Sequence, residues 1–332
     1  MELITAHNQI ITEQQVESTT ITNNNRFIEA NTQQVSLSHL KQDCIIPVFA
    51  KDNESTIAHH EFIEAVRNVA IGLFPEGTIA MPNIRTSHII KGRIPSAIGK
   101  PAKELLEHEK TIYYERMAFM IEIPHVFIFI DGQKLNLTVG GVRSYSQQNL
   151  FSKKNIEKFK LFIGFKNMVC CNLCISTDGL MDDLRVSSVE ELKQKAKQLF
   201  VSYNYEKHSN ALRKLLKHTI NQEQFSHLVG KMKLYQHLDK SIKQQHFDLT
   251  ITDSQITSIV KNYVEDEHFS GDDDGYINLW NLYNLFTEST KSNYIDNFLG
   301  RNNNTYEFIN HLSDCIKYQK DSYFLIPINI ER

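Results

Sequence analysis

The 332-residue chain is 41% hydrophobic and 23% charged, the balance of a water-soluble globular protein with length for one large domain or two ordinary ones. No apolar run reaches the roughly 18 residues that cross a membrane, and MELITAHNQIITEQQ lacks the basic-then-apolar build of a secretion signal. Five unevenly spread cysteines (Cys44, Cys170, Cys171, Cys174 and Cys315) favour reduced thiols and a cytoplasmic setting over a disulfide framework.

The net charge of −3 conceals a division. Residues 1–84 carry 4 Lys/Arg against 10 Asp/Glu, residues 85–235 carry 24 against 14, and residues 236–332 carry 8 against 15. A basic centre between acidic ends suits a site for a polyanion, and it equally suits neutralisation between segments.

In chain order, residues 1–34 are rich in Gln, Asn, Thr and Glu and are expected to form a flexible polar arm, since they bury too little to offset ordering entropy. SLSHLKQD reads as a short helix and CIIPVFA as a short strand. HHEFIEAVRNVAIGLF places Phe62, Val66, Val69, Ala70 and Leu73 at helical spacing. His59 and His60 read as turn residues before it, without a third metal ligand nearby. Ser87 to Ile94 reads as a strand, followed by a Pro/Gly-punctuated loop and a short helix from Pro101. This stretch fails as a phosphate loop, because Gly92 and Gly99 are too far apart and Pro101 follows Lys100 where a hydroxyl is required.

From Thr111 to Thr177 the chain reads as four or five strands. TIYYERMAFMIEI alternates, VFIFI and LNLTVGGV are joined by a hairpin signal at Asp131-Gly132, and KFKLFIGFK sets Phe159, Leu161, Ile163 and Phe165 against Lys158, Lys160 and Lys166. MVCCNLCIS is expected to close the set as a strand. On that expectation Cys171 points away from Cys170, and Cys170 lies about 13 Å from Cys174, so the three are core thiols rather than zinc ligands. After Asp178-Gly179 the pattern turns helical, with a capping box at Ser188 and Glu191 and an expected N-cap at Asp253. SGDDDGYINLWN matches a calcium loop at Asp272, Asp274, Gly275 and Ile277, but Ser270 and Asn281 replace its first and last ligands, so an acidic turn leading into a helix is expected. No familiar catalytic motif is present; Asp182 or Asp183 with Glu191 and Lys193 is a weak nuclease pattern set on a helix instead of a strand.

Several stretches resemble a bacterial family of unknown function, DUF3871: VSLSHLKQDCIIPVFAKDNESTI, IKGRIPSAIGKPAKELLEHEKTIYYER, LTVGGVRSYSQQNLFSKK, FIGFKNMVCCNLCISTDG and INLWNLYNLFTE. GFKNMVCCNLCIS and NLWNLYNLFTE are also similar, more distantly, to the phage- and plasmid-associated family DUF932, which implies a protein of mobile elements. Neither resemblance implies catalytic residues or a cofactor.

The expected fold is α+β: a mostly antiparallel sheet of five or six strands at 35–187, followed by a helical half at 188–332 packed on it. Strand-strand-strand-helix order is shared with Rad52-like annealing proteins, an analogy of fold alone. The expected function is non-enzymatic nucleic-acid binding, including single-stranded DNA binding or annealing. Arg85, Lys91, Arg93, Arg143, Lys153, Lys154, Lys158 and Lys160 would contact phosphates, and Tyr145 and Phe151 would stack on bases. Core packing of the two rings is the competing expectation. The alternative function is a protein-interaction module, such as an inhibitor of a host defence system, with a host protein as partner; a second copy of the chain is a further candidate. No metal, cofactor or membrane is expected.

Overall fold

The computed structural model describes residues 26–44, 57–97, 99–145 and 157–326. The stretches 1–25, 45–56, 98, 146–156 and 327–332 lie outside the described residues, and with them most of the polar arm, the CIIPVFA strand beyond Cys44, and Phe151, Lys153 and Lys154.

The expected α+β architecture is present. The first half contributes β1 (Gln33–Val35), α1 (Leu37–Gln42), α2 (His59–Leu73), β2 (Asn83–Thr86), β3 (Ile89–Arg93), β4 (Lys110–Tyr114), β5 (Arg116–Ile130), β6 (Gln133–Ser144), β7 (Glu157–Asn167), β8 (Leu173–Cys174) and β9 (Leu180–Val186). The main sheet is antiparallel in the order β1-β2-β5-β6-β7-β8, with β9 also paired to β7. Asp131 and Gly132 turn the β5–β6 hairpin with φ of 50° and 70°, the left-handed pair that a tight hairpin requires.

Two strand expectations are corrected. TIYYERMAFMIEI is divided at Glu115, where β4 ends and leaves the main sheet to pair with β3 in a separate two-stranded ribbon. RMAFMIEI and VFIFI instead make one 15-residue strand whose register shifts between Ile123 and Phe127. Pro124 sits in that shift, where it has no N–H to give to the ladder.

The second half contributes α3 (Val189–Ser202), α4 (Tyr205–Leu215), β10 (Thr219–Ile220), α5 (Gln222–Gln236), α6 (Lys240–Lys243), α7 (Asp253–Glu265), β11 (Ile277–Asn278), α8 (Leu279–Thr290) and α9 (Ile295–Tyr318). α4–α5 and α7–α8 are two helix–loop–helix units whose loops pair through the β10–β11 ladder, Ile220 opposite Ile277. Thr252, not Asp253, caps α7: its side chain accepts from Gln255 N, and Asp253 becomes the first helical residue. α8 is apolar on most sides, and Trp280, Leu282, Tyr283, Leu285 and Phe286 are all buried, as befits a helix enclosed by its neighbours.

Both faces of the sheet are covered. On one face Phe62 of α2 packs edge-on against Phe119 and Phe159, ring centroids 5.0 and 4.7 Å apart. On the other, Ala118, Met120, Val142 and Phe162 form a smaller core with Ile295, Phe298 and Leu299 of α9. Phe27 and Ile28 are buried in that smaller core, so the end of the expected polar arm is packed structure. With about 25 cal/mol of stabilisation per Å² of apolar surface buried, two such faces leave no free sheet surface as a platform at the sheet's centre.

Candidate functional site

Alternation along the strands decides where the expected phosphate contacts point. Arg143 lies over the Phe159 ring at 4.7 Å, on the α2 face. Lys160 is paired in register with Val142, a residue of the α9 face, and Lys158 shares that face two residues away. Arg143 is therefore on the opposite side of the sheet from Lys158 and Lys160.

Arg143 is 1% exposed. Its guanidinium donates to Glu157 Oε2 and to the Ile57 carbonyl, and it stacks over Tyr145 at 4.5 Å. Glu157 Oε1 also accepts from Ile57 N at 2.8 Å. Burial pushes the Glu157 carboxyl up, and the Arg143 charge and the Ile57 N–H oppose that rise. Tyr145 is buried at 6% exposure against His59, with ring centroids 4.8 Å apart, so its ring is a core ring and not a free stacking surface. His59 Nε2–H donates to Tyr114 O at 2.8 Å, and burial holds its pKa near 3, with the Arg143 charge acting in the same direction. These residues form a closed cluster at the end of the sheet, in which Arg143 Nε and His59 Nδ1 have no hydrogen-bond partner among the described residues.

Arg85 is 4% exposed and donates to the Thr32 carbonyl and hydroxyl, which fastens β1 to the sheet. Lys158 pairs with Asp183 at 3.2 Å and Lys160 with Asp182 at 2.8 Å, both acids supplied by the adjacent β9. Lys166 pairs with Glu122 at 2.6 Å. Arg143, Lys158, Lys160 and Lys166 are thus neutralised in place, and sequence arithmetic by segment could not show this because each acid comes from another strand.

Lys91 and Arg93 stand differently. They lie two residues apart on β3, and Arg93 is directly opposite Lys110 of β4, so all three project from one face of the ribbon. Lys91 is exposed and has no ion pair among the described residues. Arg93 donates to the Lys100 carbonyl, and Lys110 reaches Glu107 three residues back. Two cations directly opposite on a two-stranded ribbon repel one another, a cost that an anion lying across them would relieve. Lys103, exposed and also without an ion pair among the described residues, stands on the loop that joins the strands.

The cysteine expectation is corrected in its premise. Residues 168–170 form a turn, Cys171 has φ of 60°, and only Leu173 and Cys174 are strand. Cys170 faces Asn284 Oδ1 at 3.6 Å, and burial pushes its thiol up to about 12. Asn284 also accepts from Asn167 Nδ2 at 3.2 Å, and its carbonyl accepts from Asn172 at 3.0 Å, so this polar network joins the sheet to α8. Among the described residues no group of three His, Cys, Asp or Glu side chains converges as a metal site. In the acidic loop, Asp272 Oδ1 accepts from Tyr276 N at 2.7 Å and Gly275 takes a φ of 77°, so the loop shapes the approach to Asn278, the N-cap of α8.

One arrangement went unseen in the sequence. His39 Nδ1 meets Asp43 Oδ2 at 2.7 Å, while its Nε2 meets Tyr114 OH at 2.9 Å and Cys44 Sγ at 3.8 Å. The order is that of a thiol, an imidazole and a carboxylate, but burial and the Asp43 charge push Cys44 up to about 11. The sulfur is a neutral thiol at neutral pH and lacks the activation a nucleophile requires. Glu191 accepts from Ser187 at the start of α3 and Lys193 pairs with Glu190, so neither joins Asp182 or Asp183 in a nuclease-like set.

Fold and site together define an α+β protein with a sheet covered on both faces, a helical second half and an exposed basic ribbon. The chain belongs to the family described as "Domain of unknown function, B. Theta Gene description" (DUF3871), whose model matches residues 5–325. No curated protein and no solved structure matches the chain significantly. Among the described residues no helix is long and apolar enough to cross a membrane.

Proposed function

We propose that this chain is a non-enzymatic nucleic-acid-binding protein of a mobile element, acting on single strands through the β3–β4 ribbon and not through the central sheet. The observation that supports this reading is the grouping of Lys91, Arg93 and Lys110 on one ribbon face, with Arg93 and Lys110 directly opposite. A narrow ribbon with two cations two residues apart on one strand, about 6.6 Å at ~3.3 Å per residue, and a third facing them from the other can follow a flexible phosphate backbone. The mobile-element setting rests on the sequence resemblance of GFKNMVCCNLCIS and NLWNLYNLFTE to DUF932 alone; the family model that matches is that of DUF3871.

Fluorescence anisotropy with single-stranded DNA tests the proposal. Binding is expected at ~50 mM salt, with K91E/R93E/K110E weakening it and flattening the slope of log K against log salt by about 2, since each phosphate on a single strand contributes about 0.7. A wild-type chain that shows no binding at that salt overturns the reading.

The second reading, a protein-interaction module, is favoured by a different observation. Glu265, Asp266 and Glu267 line an open surface hollow with Glu29 and Glu288, an acidic face suited to a basic host protein. A stoichiometric host protein retained after nuclease treatment would support it over the first.

A further inference from the structure

We propose that the exposed surface formed by the C-terminal ends of α4 and α9 is a second contact for single-stranded nucleic acid, with a base stacked on Tyr318 and phosphates held by Lys217 and Lys320. This rests on the nucleic-acid reading above and extends it to a surface that shares no residue with the ribbon.

Tyr318 is the last residue of α9 and is 55% exposed, where most of this protein's tyrosines are covered. Lys317 Nζ donates to its hydroxyl at 2.9 Å and lies 4.6 Å from its ring centroid, and Lys320 Nζ lies 5.3 Å from the same centroid. The chain reaches Lys320 because Gln319 adopts the left-handed conformation that ends α9 and turns the backbone away. An exposed ring with ammonium groups 4.6 and 5.3 Å from its centroid combines a surface on which a base can stack with cations that can take the adjoining phosphate.

Lys214 and Lys217 complete the surface from α4 and the turn after it. Lys214 pairs with Asp314 across the α4–α9 contact, and Lys217 stands exposed three residues on. Three of these lysines also act on a common neighbour. Burial lowers the His218 pKa, and Lys214, Lys317 and Lys217 lower it further against the opposite pull of Asp314. The Tyr318 hydroxyl in turn is lowered chiefly by Lys317 and to a smaller extent by Lys214. Lys317 and Lys320 beside the ring, with Lys214 acting on its hydroxyl, make the surroundings of this exposed ring basic. The patch is invisible in segment charge, because Lys317 and Lys320 fall within the acidic final segment and Lys214 and Lys217 within the basic one.

The test uses the intact chain with a fluorescein-labelled oligothymidylate about twenty nucleotides long and an abasic strand of equal length, at ~50 mM salt. Wild type is expected to prefer the oligothymidylate about tenfold, from the 1–3 kcal/mol that stacking a base contributes. Tyr318→Ala should abolish that preference, Tyr318→Phe should keep it, and K217E/K320E should weaken both strands alike. If Tyr318→Ala leaves the preference unchanged while K91E/R93E/K110E weakens binding, this surface is overturned and the nucleic-acid reading stands. If wild type binds neither strand, both are overturned.

Discussion

Arg143 and Glu157 form a buried ion pair between β6 and the start of β7, with side-chain exposures of 0% and 8%. Removing one partner of such a pair leaves a charge in a poorly solvated site, which costs about 3–5 kcal/mol. Arg143→Met is expected to lose stability in that range at neutral pH by urea denaturation. The deficit relative to wild type should shrink toward pH 5, because the freed Glu157 carboxyl, already pushed up by burial, takes a proton more readily in the folded state than in the unfolded one. A deficit that does not depend on pH would mean that the carboxylate finds another partner.

Two buried histidines give the wild-type protein an acid limit. Burial holds both His59 and His208 near a pKa of 3, against 6.5 in a free side chain, so the unfolded chain binds more protons than the folded one between those values. Stability then rises with pH across that window and falls as pH drops from 6.5 toward 3. At pH 5 each histidine should remove on the order of 2 kcal/mol relative to neutral pH. His208 Nδ1 meets Tyr203 OH at 2.6 Å inside a cage of Phe165, Tyr203 and Tyr306. The slope of unfolding free energy against pH should flatten in His208→Gln, measured by denaturant titration across pH 5–7.

Much of the fold was legible because it depends on short-range pattern. The Asp131-Gly132 turn, the helical spacing of Phe62, Val66 and Ala70, and the Ser188 cap are each fixed by a few adjacent residues. The division of β4 from β5 at Glu115 was not legible, because alternation continues through it and only pairing with β3 separates the two. The site was less legible still. A lysine on a strand carries no mark of whether an aspartate waits on the next one, and Asp182 and Asp183 neutralise Lys160 and Lys158 from a strand that begins after two turns. Tyr318 and Lys214 lie about a hundred positions apart and meet only through the packing of α9 on α4.

Gly140 shows how closely the sheet is packed at its centre. A Cβ there would meet the Phe119 carbonyl at 2.2 Å and the Phe162 ring at 2.7 Å, so Gly140→Ala should cost about 1–3 kcal/mol through overpacking. Gly230, within α5, has nothing within 4 Å of the same position. Gly230→Ala should therefore stabilise the protein by about 0.5–1 kcal/mol, the usual gain of replacing glycine inside a helix. Opposite shifts of the denaturation midpoint in the two variants are the expected result.

The pairing of Lys158 and Lys160 with β9 separates a sheet platform from a ribbon contact. Asp183 and Asp182 are each about half exposed, so they regain water when a lysine is removed, and the loss of stability should stay near the 0–1 kcal/mol of surface pairs for Lys158. Lys160, with a side-chain exposure of 9%, should cost more through lost packing of its stem. Lys158 and Lys160 are both paired and mostly covered, with side-chain exposures of 28% and 9%, whereas Lys91 is exposed and Lys110, though paired with Glu107, is about half exposed. Lys158→Ala and Lys160→Ala are therefore expected to change single-strand affinity by less than about twofold, where K91E/R93E/K110E weakens it by tenfold or more, each removed phosphate contact also lowering the salt dependence. Equal losses in the sheet and ribbon variants, measured by anisotropy at one salt concentration, would return the contact to the sheet.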